Sequence, residues 1–343
     1  MAVEGMTPAS DRSAALPVRI SGLGTYLPER VVTNDDWAAE LDTSDEWITT
    51  RTGIRERHVA APNQATSDLA AAAGKAALAD AGYGVEDVST VVLATTTPDH
   101  PIPGTAPIVS AALGTEAPAF DVNAACSGFV YGLEIAGSLA LRGGGPVLLI
   151  GAETLSRVTD RTDRSTAVLF GDGAGAVVLE RDPFASLGPF DAGADGTLAE
   201  ILVTPAGGTR TPVDPDVLES RDQFLTMRGG EVYRQAVTRM AASSERVLTA
   251  AGASVEDIDL FVGHQANQRI LDAVARRIGM PDDRCHLTVD RHGNTSAASI
   301  PLALGDARAS GRLKPGTRVL LTAFGAGITW ASCLLTWTGR NGS

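Results

Sequence analysis

The sequence predicts an α/β protein built from two homologous halves stacked on one another, and three observations carry this. AGYGVEDVSTVVLA at 81–94 and AGASVEDIDLFVGH at 251–264 agree at Ala, Gly, Val, Glu and Asp in register. Each copy follows an Ala-rich helical stretch, 67–80 or 233–250, and leads into a β-branched strand at 90–95 or 260–263. Further echoes follow in the same order. A strand at 119–122 passes through a turn at 123–126 into a helix ending near Leu141. In the second half, 287–289 leads through His292-Gly293-Asn294 into a helix beginning near Ser296. GGGPVLLIGAE at 143–153 then parallels LKPGTRVLLTAFGAG at 313–327.

Strands alternating with helices indicate βαβ units and mainly parallel sheet. The expected organisation is a poorly ordered extension over 1–17, a first half over 18–182, a connection over 183–227 and a second half over 228–343. The connection is rich in Gly, Pro, Asp and Thr, fits neither repeat, and is expected near a substrate entrance.

A chain of 343 residues that is 44% hydrophobic and 20% charged has ample material for a core. A net charge of −13 disfavours nucleic acid as a partner. No run approaches the ~20 apolar residues that span a bilayer, so no membrane segment is expected. The N-terminus lacks the apolar core of a secretory signal. Three cysteines, Cys126, Cys285 and Cys333, are too few and odd in number for a disulfide framework, which points to a reducing cytoplasm. No Cys or His spacing suggests a metal.

Cys126 follows a buried strand and a small-residue turn, and a helix with apolar positions at Phe129, Leu133, Ile135 and Leu139 begins just after it. A thiol at a helix N-terminus meets free N–H groups and a macrodipole that favour the thiolate. A buried structural cysteine is the alternative. His264 ends an apolar strand and Asn294 lies in DRHGNTSAASIP, both at strand-to-helix junctions, where ligands bind in parallel α/β folds. Together they can donate hydrogen bonds to a developing enolate oxygen. A Cys/His pair alone also fits a hydrolase, and Asn before Thr-Ser also fits a helix cap. The turn Phe324-Gly325-Ala326-Gly327 lets backbone N–H groups approach a thioester carbonyl. GDGAGAVVL at 171–179 imitates a phosphate loop but runs into a strand and lacks the P-loop Lys. It reads as a hairpin with close backbone packing.

With these residues in hand the chain resembles the β-ketoacyl-acyl carrier protein synthase III family from Val18 to about Leu335. The markers are TSDEWITTRTGIRER (43–57), AFDVNAACSGF (119–129), LFGDGAGAVVL (169–179), GHQANQRI (263–270), DRHGNTSAASIP (290–301) and AFGAGITW (323–330). The resemblance implies a thiolase-like five-layered αβαβα fold, a homodimer and a Cys126-His264-Asn294 triad. It implies that Cys126 takes an acyl group from acyl-CoA, and that malonyl-acyl carrier protein then loses carbon dioxide to give an enolate stabilised by His264 and Asn294. The enolate attacks the acyl-cysteine. No metal or redox cofactor is implied. Backbone N–H groups of Cys126 and Ala326 would form a second oxyanion hole. Trp47 and Arg164 match a pair that sandwiches the CoA adenine, Arg51 a residue near its phosphates and Asn267 a pantetheine contact. Ile102 matches a residue that caps the partner's acyl pocket, and Phe324 is placed beside that pocket. Gly230 stands where family members often carry a polar side chain near the cofactor, and 183–227 resembles the family only weakly.

The helix 268–279 carries Arg269, Arg276 and Arg277. Arg269 and Arg276 share a face two turns apart, opposite Ile270, Leu271, Val274 and Ile278. On so acidic a chain this patch is expected to receive an acidic acyl carrier protein. The competing activities are acyl transfer to a hydroxyl or amine on the same fold, and degradative thiolysis, which needs a second active-site cysteine that Cys285 and Cys333 do not resemble. A non-catalytic scaffold role has no use for an intact Cys, His and Asn set.

Overall fold

The structure, a computed structural model, describes residues 14–339. Most of the extension expected over 1–17 lies outside the described residues. At its end, the amide of Leu16 donates to the Leu187 carbonyl at 2.7 Å, and the Leu187 amide returns the bond at 3.0 Å.

Two sheets form the scaffold. In the first, β1 (Val18–Tyr26), β5 (Asp172–Arg181), β4 (Val147–Thr154), β2 (Thr90–Ala94) and β3 (Ala119–Val122) lie side by side in that order. β1, β5 and β4 pair antiparallel, while β4, β2 and β3 pair parallel. In the second sheet the order is β6 (Leu187–Ala194), β9 (Thr329–Thr336), β8 (Arg318–Gly325) and β7 (Leu260–Gly263). There β6, β9 and β8 pair antiparallel and β8 pairs parallel with β7. The first four strands of the first sheet and the whole of the second therefore share one topology, as the repeat demands.

Five layers follow from what packs on these sheets. Helices α1 (Thr66–Ala81) and α2 (Thr105–Leu113) cover the outer face of the first sheet, sharing a core with Leu93, Leu148 and Val178. Helices α3 (Gly128–Leu141) and α6 (Ser299–Ala309) fill the middle, where Phe129, Leu133, Ile300 and Leu304 meet Leu149 of one sheet and Leu321 of the other. Helices α4 (Gly229–Ala250) and α5 (Gln268–Ile278) cover the second sheet through Met240, Leu271 and Val274. Small residues make the layers close. A Cβ on Gly24 of β1 would stand 2.2 Å from the Ala77 amide nitrogen of α1, so only glycine lets that helix lie on that strand.

Three expectations are corrected. The region 183–227 is not only a connection: its residues Leu187–Ala194 form β6, the counterpart of β1, so the second half begins well before 228. The remainder is an insertion carrying a two-residue strand pair, Leu202–Val203 with Thr226–Met227, and the short helix Pro215–Ser220. The run 171–179 is not a hairpin: from Asp172 on it is one strand, β5, in the interior of its sheet; the expected close packing is there, since a Cβ on Gly175 would meet Pro301 Cβ at 2.6 Å. Residues 287–289 do not extend a sheet, because the chain turns into the short helix Val289–His292. Only a single bridge, Phe261 with Cys285, remains where β3 has its counterpart.

Candidate active site

The nucleophile turn leaves β3 and enters a single 3₁₀ turn, Ala125–Ser127, before α3. Ala125 sits at φ 48°, a left-handed conformation that a residue with a Cβ adopts only at a cost. The Ala125 amide donates to Asn123 Oδ1 at 3.2 Å and the Ser127 hydroxyl to the Ala124 carbonyl at 2.7 Å, which hold the bend. From the other half, the end of β8 presses against this turn. A Cβ on Gly325 would lie 2.8 Å from the Cys126 amide nitrogen and 2.9 Å from the Ala124 carbonyl oxygen.

His264 directly follows β7, its amide continuing the pairing with a 2.8 Å bond to the Thr322 carbonyl. Its ring is almost fully buried, and Nδ1 lies 2.7 Å from Ser299 Oγ at the start of α6. The Gln265 amide donates to that same oxygen at 3.3 Å, so the Ser299 hydrogen is free to point at Nδ1. The Ser296 backbone also hydrogen-bonds the ring. Asn294 is tied into the first half by its backbone, donating to the Leu169 carbonyl at 2.8 Å and accepting from the Gly171 amide at 3.0 Å. Its Oδ1 accepts the Ser296 amide at 2.9 Å, which leaves Nδ2 as the outward end of the side chain.

Cys126, His264 and Asn294 line one cavity of about 980 Å³. Its exposed end is marked by Trp47, Arg51, Asn267 and Arg269, and Leu202, Met227, Met240 and Phe324 supply apolar wall. Ala326 lines it beside Cys126. Among the described residues no cluster of His, Cys, Asp or Glu is arranged to hold a metal, and no helix is long and apolar enough to cross a membrane.

The electrostatics depart from the sequence reading at one point. The thiol was expected to ionise readily at a helix N-terminus. Burial instead pushes Cys126 up to about 12; a Ser296 hydrogen bond acts against this and the nearby Glu153 charge adds to it. Loss of hydration opposes the partial charge of the helix that begins two residues later. Burial likewise drives His264 down to about 3, so its imidazole is neutral and cannot pair with a thiolate.

Around the mouth, Trp47 stands on the helix Asp45–Thr52, with the Arg51 guanidinium 4.5 Å and that of Arg164 4.9 Å from its ring centroid. Arg164 also donates to the Asp42 carbonyl at 2.6 Å, so a base can enter between it and Trp47 only if Arg164 swings out. Asn267 caps α5, accepting the Arg269 amide at 2.8 Å, and donates to the Arg51 carbonyl at 3.1 Å. Nothing lies within 4 Å of a Cβ built on Gly230, which leaves open space where a side chain would fit. Arg276 and Arg277 are exposed on the same helix as Arg269. Ile102 does not line the cavity of its own chain and is 88% exposed.

Glu153, Thr97, Ser296 and Ser299 are the site residues that sequence reasoning missed. The signals were a carboxylate closing an otherwise apolar strand, VLLIGAET, and two serines within the Asn294 motif.

Two family profiles match: 3-oxoacyl-[acyl-carrier-protein] synthase III over residues 120–196 and its C-terminal part over 248–337. The chain is 50% identical over 322 residues to the β-ketoacyl-[acyl-carrier-protein] synthase III of Roseiflexus castenholzii, covering 93% of this chain and 98% of that one. The solved 3-oxoacyl-(acyl carrier protein) synthase III of Pseudomonas aeruginosa superimposes with a TM-score of 0.87 at 47% identity, over 94% of this chain and 98% of the other. The priming β-ketosynthase of the R1128 polyketide pathway gives 0.87 at 35% identity, over 95% and 97%. With its thiolase-like five-layered architecture, a cysteine, histidine and asparagine joined in one cavity, and half of its residues shared along nearly the whole chain, this protein belongs to the 3-oxoacyl-[acyl-carrier-protein] synthase III family.

Proposed function

We propose that the chain is an acyltransferase that condenses an acyl-CoA primer with malonyl-acyl carrier protein, releasing carbon dioxide and starting a fatty acid or polyketide chain. One observation carries the reading: Asn294 Oδ1 is engaged by the Ser296 amide, which turns its Nδ2 outward, and the His264 ring and the Cys126 thiol line the same cavity. In this reading Ser299 donates to Nδ1 of His264, and the Nε2–H of His264 and the Nδ2–H of Asn294 turn to the substrate. Two preorganised donors suit an enolate oxygen in a water-poor site.

In this reading Cys126 takes the acyl group, with the Cys126 and Ala326 amides receiving its carbonyl oxygen. Trp47, Arg51, Arg164 and Asn267 hold the CoA and pantetheine arm, and Phe324 walls the acyl chain. Arg269, Arg276 and Arg277 receive the acidic carrier protein. The working unit is a homodimer in which the exposed Ile102 caps the partner's acyl pocket, so Ile102→Phe shortens and Ile102→Ala lengthens the accepted primer. The chemistry calls on no metal or redox cofactor, and the enzyme works in the cytoplasm.

The test is intact mass after incubation with a panel of acyl-CoAs, followed by addition of malonyl-acyl carrier protein with measurement of carbon dioxide. Acylation of Cys126 followed by carrier-dependent carbon dioxide release is expected. Acylation without decarboxylation would move the assignment to acyl transfer onto a hydroxyl or amine.

A further inference from the structure

Glu153 is the penultimate residue of β4 and its side chain is completely buried. Its carboxylate accepts from Thr97 Oγ1 at 2.6 Å, Ser296 Oγ at 3.0 Å, the Thr96 amide at 3.1 Å and Thr95 Oγ1 at 3.2 Å, with Thr96 Oγ1 as a fifth donor. No ion pair among the described residues includes it. A carboxylate buried without a counter-ion is expensive, and such groups concentrate at functional sites.

The acyl-cysteine reading above requires Cys126 to shed a proton as it attacks a thioester. His264 is a poor acceptor, because Ser299 Oγ occupies Nδ1 and burial disfavours the protonated ring. Asn294 offers no basic atom, and its Oδ1 accepts the Ser296 amide. Ser296 lines the cavity together with Cys126 and His264, its hydroxyl near enough to the thiol to lower its pKa by hydrogen bonding, and that hydroxyl donates to Glu153 at 3.0 Å. Ser296 itself is held at φ 47°, a strained conformation, with its amide on Asn294 Oδ1.

We propose that Ser296 and Glu153 form a proton relay that serves Cys126 during acyl loading, an inference that rests on the acyl-cysteine reading. As the sulfur–carbon bond forms, the Cys126 S–H bond breaks and its proton passes to Ser296 Oγ, while the Ser296 proton passes to Glu153. When the tetrahedral intermediate collapses, the bond to the departing CoA sulfur breaks, and that thiolate takes the proton back along the same path. No electrons change hands, and Glu153 ends in the protonation state in which it began. Burial raises the proton affinity of Glu153, which suits an acceptor. The titratable groups around it are few. Cys126 faces it from the nucleophile turn, and His264 lies beyond Ser296. Asp172 on β5 turns its carboxylate to Ser156 and the Ala60 amide instead. The 95–97 segment offers only hydroxyls and an amide.

Single-turnover loading of Cys126 from an acyl-CoA, read by intact mass between about pH 5 and about pH 9, tests this in wild type, Glu153→Gln and Ser296→Ala. General-base assistance contributes roughly 10²–10⁴-fold, so a loss of that order in loading is expected in both variants. Wild-type loading should fall at the acid end as Glu153 becomes protonated, and that limb should vanish in Glu153→Gln. The loss should fall at least about tenfold more heavily on loading than on decarboxylation by enzyme already acylated at Cys126. If Glu153→Gln does not fold, Ser296→Ala, which keeps the carboxylate and the Ser296 backbone, carries the same comparison. Wild-type loading with unchanged rates and limb in the variants would overturn the relay alone. Equal losses in both half-reactions with an unshifted limb would reduce Glu153 to a structural role. A wild type that never loads would overturn the acyl-cysteine reading itself.

Discussion

Ser299 Oγ lies 2.7 Å from Nδ1 of His264, a contact that holds the buried ring in place at the end of β7. In Ser299→Ala the ring loses that contact and the Gln265 amide loses its acceptor. A neutral hydrogen bond is worth about 1 kcal/mol, so decarboxylation should slow roughly five- to tenfold. His264→Ala and Asn294→Ala, which remove a donor outright, should cost ~10²–10³ in the same step while retaining part of acyl loading. Separate assay of the two half-reactions checks the order; a Ser299→Ala enzyme as slow as His264→Ala would contradict it.

Cys126 resists ionisation, being pushed up to about 12 by burial. Its reaction with a small neutral alkylating agent should therefore climb about tenfold per pH unit and show no plateau below about pH 10, because only the thiolate reacts. Cys126→Ala should gain no acyl mass from any acyl-CoA, and Cys126→Ser very little. A plateau near neutrality would mean that the thiol is far more acidic than its surroundings imply.

His292 is buried beside His58, its Nδ1 has no partner, and burial lowers it from 6.5 to about 4. Below its unfolded value the unfolded chain binds a proton that the folded chain refuses, so its contribution to stability is present above about pH 6.5 and is lost as pH falls toward about 4. Glu153 and Asp172, raised by burial, act in the opposite sense. Comparison of His292→Asn with wild type isolates the histidine. Denaturant midpoints should show the variant losing less stability between those pH values, by up to about 3 kcal/mol. Parallel pH profiles would disprove the linkage.

Gly325→Ala places a methyl group against the Cys126 amide nitrogen and the Ala124 carbonyl, backbone atoms that cannot turn aside. Overpacking of this kind costs about 1–3 kcal/mol. Because the strain falls on the nucleophile turn, loading should drop by ~10² or more, and thermal stability should fall with it. Normal loading in a stable Gly325→Ala protein would show that the two halves touch less tightly here.

Arg269 is exposed at the cavity mouth and is N-terminal on the helix that also carries Arg276 and Arg277. Arg269→Glu should weaken turnover with an acidic carrier protein and flatten its salt dependence, since steering by charge is screened over about 10 Å at ordinary ionic strength. Loading from a short acyl-CoA should suffer much less. Salt titration of both half-reactions decides it, and unaffected carrier turnover places the dock elsewhere.

The duplication was legible because hydrophobic periodicity and a recurrent turn survive in both halves, and Cys126 and His264 stood out because each follows a strand, whereas Asn294 follows the short helix Val289–His292. β6 escaped notice because LGPFDAGA lacks the β-branched alternation of an ordinary strand and takes its place by pairing with β9. The fate of 287–289 was equally hidden, since three apolar-leaning residues fit a strand or an irregular segment alike. The upward pull of burial on Cys126 was hidden for a different reason. Helix position is written in the local sequence, whereas the surroundings of the thiol come from residues as distant as Ser296 and Gly325. Glu153 went unread because its partners, the threonines at 95–97 and Ser296, converge only in space.

The matched sheets also show how two once-equivalent positions parted company. Val91 of β2 pairs with Leu148 of β4, and Phe261 of β7 with Leu320 of β8, so β4 and β8 are counterparts offset by a constant number of residues. Counting along both, Glu153 and Gly325 fall at the same place in the two copies. One became a carboxylate whose whole worth lies in its side chain, the other a residue whose worth lies in having none. An ancestral protein with two alike halves would have held two alike pockets facing each other across the middle layer. Specialising one strand end for acid–base chemistry and the other for close backbone contact merges such a symmetric pair into a single working centre. Neither half, expressed alone, retains a complete copy of it.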